Sequence, residues 1–420
     1  MKFNRTDPPT PRASRTLNRR AFLSTTLAAA STAPFIASRT FAAEPAPVAT
    51  NQPDRKLKLG VVGNGGRGCW IANLFKRHGG YEMWAVADYF QSVADACGDG
   101  LGVDRGRRFS GLSGYKKVIE SGVEAVALET PPYFFPEHAR AVVDAGLHLY
   151  MAKPVAVDVW GCHEIEAAAK KATANKQVFL VDYQIPTDPH NIEVVKLIRA
   201  GEIGQVVALN SHYFAGMFAD PPKTATVDGR FRGLVWCNDV ALGGGYHVNA
   251  CIHAIDGALW IADQAPVSAM GFSRVARSEP HGDSHDVFQL VLEFPNGLIL
   301  SHRGKHMNNL SSFDVICQAQ GQNGYAQICY GGKTMLRGRE NGYSGEVQNL
   351  YEAGAVRNIA KFYDCVVNGN VQNDTVKRSV QGALTTILGR EAGLRRAKVT
   401  MDELVKSNQR LQVDLSGLKA

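Results

Sequence analysis

The run Gly63-Asn64-Gly65-Gly66-Arg67-Gly68 constrains this chain more than any other feature. It follows directly on Leu57, Leu59, Val61 and Val62, which read as a short strand, and Trp70 to Arg77 behind it has helical spacing. Asp88 closes the next apolar run, twenty residues beyond Gly68. Strand, glycine turn, helix, strand and terminal acid in that order make a dinucleotide-binding unit; an incidental surface turn lacks the order. The first glycines permit the tight turn and let backbone N–H groups approach a pyrophosphate, which sits against the positive end of the helix dipole. Asp88 can accept hydrogen bonds from an adenosine ribose, and a 2′-phosphate would meet its carboxylate. The six residues Gly63, Asn64, Gly65, Gly66, Arg67 and Gly68, with Asp88, are therefore expected to bind NAD in preference to NADP. Arg67 is the residue that could reverse that preference.

Further strands are expected at Met83 to Ala87, Ala125 to Thr130, Leu147 to Met151 and Val178 to Tyr183, with helices at Pro136 to Ala145 and Val159 to Thr173. Alternation at this pitch predicts an α/β Rossmann domain, a doubly wound parallel sheet, over residues 56–182. Beyond Tyr183 a helix from Asn191 to Ala200 leads into segments that alternate apolar and polar residues, among them Val206 to Phe214, Val287 to Phe294 and Leu298 to His302. Such alternation suits an antiparallel sheet with one covered face. Residues 183–404 are expected to form an α+β domain with a large, mainly antiparallel open sheet, and 405–420 a C-terminal tail.

The formal charge of +7 at first suggests a nucleic-acid partner. Residues 1–43, however, hold seven basic side chains against Asp7 alone, a net +6, so the remainder sits near +1 and nucleic acid has no electrostatic case. The segment runs from a basic start through Arg19-Arg20-Ala21-Phe22-Leu23 and a modestly apolar stretch to Ile36, then to small residues around Ala42-Ala43. It resembles a twin-arginine signal peptide. Its apolar run falls short of the ~20 residues needed to span a bilayer, so no stable membrane anchor is expected. The resemblance implies the twin-arginine export machinery as a partner and a periplasmic location. Residues 44–55, with three prolines, read as a linker. Eight cysteines show no CxxC or other metal spacing, and a protein folded before export in a reducing cytoplasm should hold most of them as buried thiols.

A second cluster carries the chemistry: Glu129-Thr130-Pro131-Pro132, His138, Gly146-Leu147-His148 and Met151-Ala152-Lys153-Pro154. With Asp182-Tyr183-Gln184 and Ala200-Gly201-Glu202-Ile203-Gly204, it resembles the glucose-fructose oxidoreductase, inositol dehydrogenase and rhizopine-catabolism family over Lys56 to about Leu404. The resemblance implies that Thr130, Pro131, His138 and Lys153 join the cofactor site. It also implies a catalytic helix, here Gly243-Gly244-Gly245-Tyr246-His247-Val248-Asn249-Ala250-Cys251-Ile252-His253-Ala254-Ile255-Asp256. On a helix Asn249, His253, Asp256 and Trp260 would share one face, next to an apolar stripe of Val248, Ile252, Ile255 and Leu259. Lys153, His253 and Asn249 are the expected catalytic residues. Tyr183, Arg230, Trp236, Asn249 and His253 are the expected substrate contacts, with Arg232 in the same loop able to grip substrate or cap the cleft.

Two departures stand out: Ala152 replaces the family's glutamate, and Asn249 its aspartate. A neutral amide can orient an imidazole but cannot stabilise its charged form as a carboxylate does. The run His281-Gly282-Asp283-Ser284-His285-Asp286 has no helical spacing and reads as a strand entry, so no metal is expected. The resemblance implies hydride transfer between a nicotinamide cofactor and a hydroxyl carbon of a sugar, cyclitol or related polyol, with His253 as base and Lys153 on the same oxygen; Lys153 as the base stays open. Export implies a tightly bound cofactor recycled in place. The alternatives are an NAD-dependent glycoside hydrolase that oxidises its sugar transiently, and an exported binding protein without catalysis. Relatives commonly pair through the second sheet, so a homo-oligomer is expected.

Overall fold

The computed structural model describes residues 55–420. The expected leader, and all of the linker but Arg55, lie outside the described residues. Six strands follow the predicted alternation: β1 (Leu57–Val62), β2 (Tyr81–Asp88), β3 (Arg108–Ser110), β4 (Ala125–Leu128), β5 (His148–Ala152) and β6 (Phe179–Asp182). They pair in parallel in the order β3-β2-β1-β4-β5-β6. β4 and β6 are buried at every position, as a sheet covered on both faces requires. The order reverses beside β1, so the glycine turn opens at the point where crossovers leave to opposite sides. β3 and the helices Gln91–Leu101 and Gly114–Glu120 carried no clear periodicity; the first of these includes Gly98 and Gly100.

The second sheet has nine strands: β7 (Val206–Ala215), β8 (Ser268–Arg274), β9 (Val287–Glu293), β10 (Ile299–His306), β11 (Asp314–Gly321), β12 (Tyr325–Cys329), β13 (Gly332–Arg337), β14 (Gly342–Val347) and β15 (Val399–Thr400). Their order is β14-β13-β12-β11-β7-β10-β9-β8-β15, and the pairs are antiparallel except β7 with β10. β9 and β10 alternate buried and exposed residues, so one face is covered and the other open. The open face carries Met270, Phe272, Val291 and Ile299. The covered face packs on helices Ile252–Ala262 and Asp374–Arg395, and the latter also touches helix Val159–Ala174 of the first domain. One apolar core thus runs from Leu128 and Met151 through Ile252 to Leu290. Among the described residues, no helix is long and apolar enough to cross a membrane.

Three local findings refine the sequence reading. Residues His247–Cys251 form a π turn, not the start of a regular α-helix. Asp256, in the regular α-helix Ile252–Ala262 beyond it, lines neither cleft cavity but is buried against Arg378 at 2.5 Å, whose guanidinium also lies over Trp260. Six of the eight cysteines are buried thiols, as expected of most, and the other two, Cys69 and Cys97, form a disulfide between helices Gly66–His78 and Gln91–Leu101. The segment after helix Met401–Ser407, within the expected C-terminal tail, packs back on the first domain. Trp160 donates to Gln409, Leu411 to Asp158, and Leu112 to the carbonyl of Lys419 at 3.0 Å.

Candidate active site

Two cavities meet at the carboxyl ends of β1, β4 and β5. The larger, about 690 Å³, is lined by all six residues of the glycine turn, Asp88, Thr130, Pro131 and His138, together with Phe231 to Leu234 and Trp236 of the second domain. Gly63 sits at φ +91°, and a Cβ there would lie 2.6 Å from the backbone carbon of Glu129. A Cβ on Gly68 would strike the carbonyl oxygen of Gly63, so the helix can close on the turn only with glycine there. Nothing lies within 4 Å of a Cβ on Gly65 or Gly66. The turn thus presents bare backbone to open space at a helix N-terminus with no acidic residue in its first turn.

Asp88 accepts from the backbone N–H of Asn64 at 2.8 Å and of Phe90 at 3.1 Å, which fixes its carboxylate at the cavity wall. Burial raises its pKa against those hydrogen bonds and the nearby Arg232. Arg232 lies 3.7 Å over the Phe90 ring. His138 is buried with its Nδ1 3.5 Å from Thr130 Oγ1, and burial pushes its pKa down to about 3, so it is a neutral wall. Lys419 extends the rim: its N–H donates to Tyr89 Oη at 3.2 Å and its Nζ to Ser110 Oγ at 2.7 Å.

The smaller cavity, about 380 Å³, contains Lys153, Asn249 and His253, and shares Arg67, Glu129, Thr130, Leu234 and Trp236 with the first. Lys153 Nζ donates to the backbone carbonyl of Asn249 at 2.6 Å. Burial lowers its pKa to about 8, reinforced by Arg67 and opposed by Cys237, Asp182 and Glu129. Burial holds His253 neutral, well below the usual imidazole range, and the Lys153 and Arg67 cations add to the effect. Its Nδ1 is buried without a partner. Tyr213 stacks at 6.0 Å and Tyr330 meets the ring edge-on at 5.2 Å. Asn249 does not touch the imidazole through a hydrogen bond: its Oδ1 accepts from the Cys237 thiol at 3.4 Å.

Lys153 lines the smaller cavity, beside its junction with the larger. Three sequence expectations are corrected. Arg67 turns from Asp88 towards Asp182, at 2.8 Å, and Glu129, at 3.3 Å, and its NH1 donates to Tyr351. Arg230 is paired with Asp239 at 2.5 Å and lines neither cavity. Tyr183 packs edge-on behind His253 at 6.3 Å and lines a separate cleft with Arg357 and Lys361, because successive residues at a strand end point to opposite sides. Glu129, from the second sequence cluster, also lines the smaller cavity, as do Gln184, Tyr213, Phe313, Tyr330 and Tyr351, none of which was assigned a site role from sequence. His281 to Asp286 forms no metal-ligand set; Asp286 instead is buried and holds Arg277. His247, Cys251 and His302 bring ligand atoms within 4.8 Å of one another below the π turn, outside both cavities and close to the Arg390 cation.

Residues 57–181 match the model described as "Oxidoreductase family, NAD-binding Rossmann fold", and residues 192–327 match the model of the GFO/IDH/MocA C-terminal domain. The chain belongs to the Gfo/Idh/MocA family. Within that family it is 22% identical over 243 residues to an inositol 2-dehydrogenase of Rhizobium meliloti, a match covering 57% of this chain and 66% of that protein. The aldose-aldose oxidoreductase of Caulobacter crescentus, solved with glycerol, shares the fold at a TM-score of 0.66 and 20% identity, over 82% of this chain and all of that one. Levoglucosan dehydrogenase, solved with NADH and levoglucosan, does so at 0.69 and 16%, over 83% of this chain.

Proposed function

We propose that this Gfo/Idh/MocA protein is an exported, NAD-dependent oxidoreductase acting at a hydroxyl carbon of a sugar, cyclitol or related polyol. The observation that carries the reading is the junction of the two cavities, with Lys153 and His253 on one side and the bare glycine turn on the other. Open space before Gly65 and Gly66, a helix N-terminus and the anchored Asp88 suit a dinucleotide. Bound there, the nicotinamide supplies the hydride acceptor. His253, kept neutral by burial, takes the hydroxyl proton, while the Lys153 ammonium donates to the same oxygen and stabilises the charge that develops on it. The aromatic walls Tyr213, Trp236 and Tyr330 exclude water and offer flat faces to a ring of C–H bonds.

The named relatives act on inositol, aldoses and levoglucosan, and supply the substrate class by analogy. Two further parts of the reading rest on other features. The leader with Arg19 and Arg20 motivates export to the periplasm with the cofactor already held. The open sheet face with Met270, Phe272 and Val291 motivates a homo-oligomer. The test is a panel of sugars, cyclitols and polyols, oxidised and reduced, incubated with purified protein while reduced-cofactor absorbance and product are followed. Turnover of at least one pair is expected; binding of dinucleotide without hydride transfer to any of them would overturn the proposal.

A further inference from the structure

Ala152 stands where the family resemblance places a glutamate before Lys153, which would leave the buried ammonium short of a carboxylate. The strand register supplies one from the side. β4 and β5 run in parallel with Leu128 opposite Met151, so the next residues, Glu129 and Ala152, lie side by side. On the other flank Ala152 pairs with Asp182. Two carboxylates therefore bracket one methyl group, and Arg67 spans the gap, reaching Glu129 Oε2 at 3.3 Å and Asp182 Oδ2 at 2.8 Å. A third acid at 152 would crowd this row with like charge.

The two carboxylates are not equivalent. Asp182 is saturated: it accepts from Gln184 and Asn358, each at 2.8 Å, besides Arg67. Glu129 keeps Oε1 buried with no hydrogen-bond partner, although its side chain is only 1% exposed and it lines both cavities. An unfilled acceptor in such a place is costly unless something in the site uses it. Lys153 lies in the same cavity and has three donors, of which the Asn249 carbonyl takes one. Glu129 and Lys153 are also within Coulombic reach, each favouring the other's charged form.

We propose that Glu129 is a positioning residue for Lys153: from the neighbouring strand it supplies the carboxylate that position 152 lacks, and so keeps the buried ammonium charged and directed into the cleft. This rests on the reading of Lys153 as the group that binds the reacting oxygen, but the electrostatic influence of Glu129 on Lys153 can be read without turnover.

The test reads the lysine directly. Amine-reactive labelling of Lys153, followed by mass spectrometry across pH in the full-length protein, gives its titration midpoint. Glu129→Gln should lower that midpoint, because the lost negative charge had favoured the ammonium. Adding Ala152→Glu to the same chain should return it towards the wild-type value. Thermal melts establish that each variant is folded. A folded Glu129→Gln protein with an unchanged midpoint, or a double variant with no recovery, would overturn the proposal. Should Glu129→Gln not accumulate, Lys153→Met reads the pair from the other side: the Glu129 carboxyl band in the infrared should titrate at higher pH than in wild type, and no change there would equally overturn it. If polyol oxidation fails while the midpoints move as stated, the functional reading falls and the pairing stands.

Discussion

Lys153 and Asn249, 96 positions apart, are joined across the two domains by a 2.6 Å hydrogen bond from the lysine ammonium to the asparagine's backbone carbonyl. The acceptor belongs to the π turn that precedes His253, so the same bond that holds the cation sets the distance between the two candidate catalytic groups. Removing either group should be nearly as harmful as removing both. His253→Ala is expected to lower turnover by roughly 10²- to 10⁴-fold with dinucleotide affinity nearly unchanged. Lys153→Ala should do comparable damage, with the double variant little worse than either, since groups acting as a unit are not additive. Near-normal turnover in His253→Ala would move the base assignment to Lys153.

Asn249 offers a pH test of the same pair. The neutral His253 must gain no proton from solvent to act as base, so activity is lost as pH falls through its pKa, which burial and Lys153 hold well below 6.5. Asn249→Asp places a carboxylate one helical turn away and favours the imidazolium. The acid limb of kcat/KM should therefore move to higher pH, and a limb that stays in place would show that the side chain at 249 does not sense the imidazole.

Buried histidines also predict how stability responds to acid. His138 and His302 are each held down to about 3 by burial, whereas an unfolded imidazole titrates near 6.5. Between those values the unfolded chain binds more protons, so each of the two costs about 1.4 kcal/mol of stability per pH unit as pH falls. Glu129, raised to about 7 from 4.5, acts in the opposite sense until its unfolded value is passed. The melting temperature should thus decline from about pH 6.5 downward, with His247 and His253, also lowered, adding to the slope, and more steeply below about pH 4.5, where Glu129 no longer offsets it. His302→Asn should flatten the steep part; a melting temperature that rises on acidification would contradict the account.

For the cofactor, NAD is expected to bind more tightly than NADP by roughly tenfold to over a hundredfold, the equivalent of about 1–3 kcal/mol for lost hydrogen bonds at Asp88. Arg67 is committed to Glu129 and Asp182, which leaves Arg232 as the cation beside Asp88. Calorimetry on Arg232→Ala should show the preference widen, and tighter binding of NADP to wild type would refute it.

Retention should be measurable as well. Denatured, the purified protein is expected to release dinucleotide detectable by mass spectrometry. Lys419→Ala, which removes the contact to Ser110 at the cavity rim, should speed its loss on dialysis. Arg19→Lys with Arg20→Lys should abolish export and leave retention unchanged; a protein that still reaches the periplasm would show that the leader does not direct export.

The order of strands, the glycine turn and the Lys153 and His253 positions were legible because each is written locally, in a repeat of apolar residues or a short motif. Other parts required a third dimension. Tyr213, Tyr330 and Tyr351 come from β7, the end of β12 and the start of helix Leu350–Val367, and nothing near them in the chain announces a common cavity. Tyr183 and Arg230 sit next to functional residues in sequence, yet the side each faces depends on strand-end geometry and on Asp239, respectively. Asp256 has helical spacing from His253, but its carboxylate is taken by Arg378, 122 positions on in the chain.

The neighbouring positions of Glu129 and Ala152 bear on how such chains are compared. Read column by column, an alanine in place of an acid is a loss, and an acid twenty-three positions earlier is counted separately from it. In the sheet the two positions are adjacent rows, about 4.8 Å apart across a parallel ladder. A column-wise score treats the two positions as independent, whereas the fold places them side by side. Searches for active members among divergent sequences would do better to ask whether a carboxylate occurs at any of the three strand ends, 129, 152 or 182, than whether it occurs at one of them.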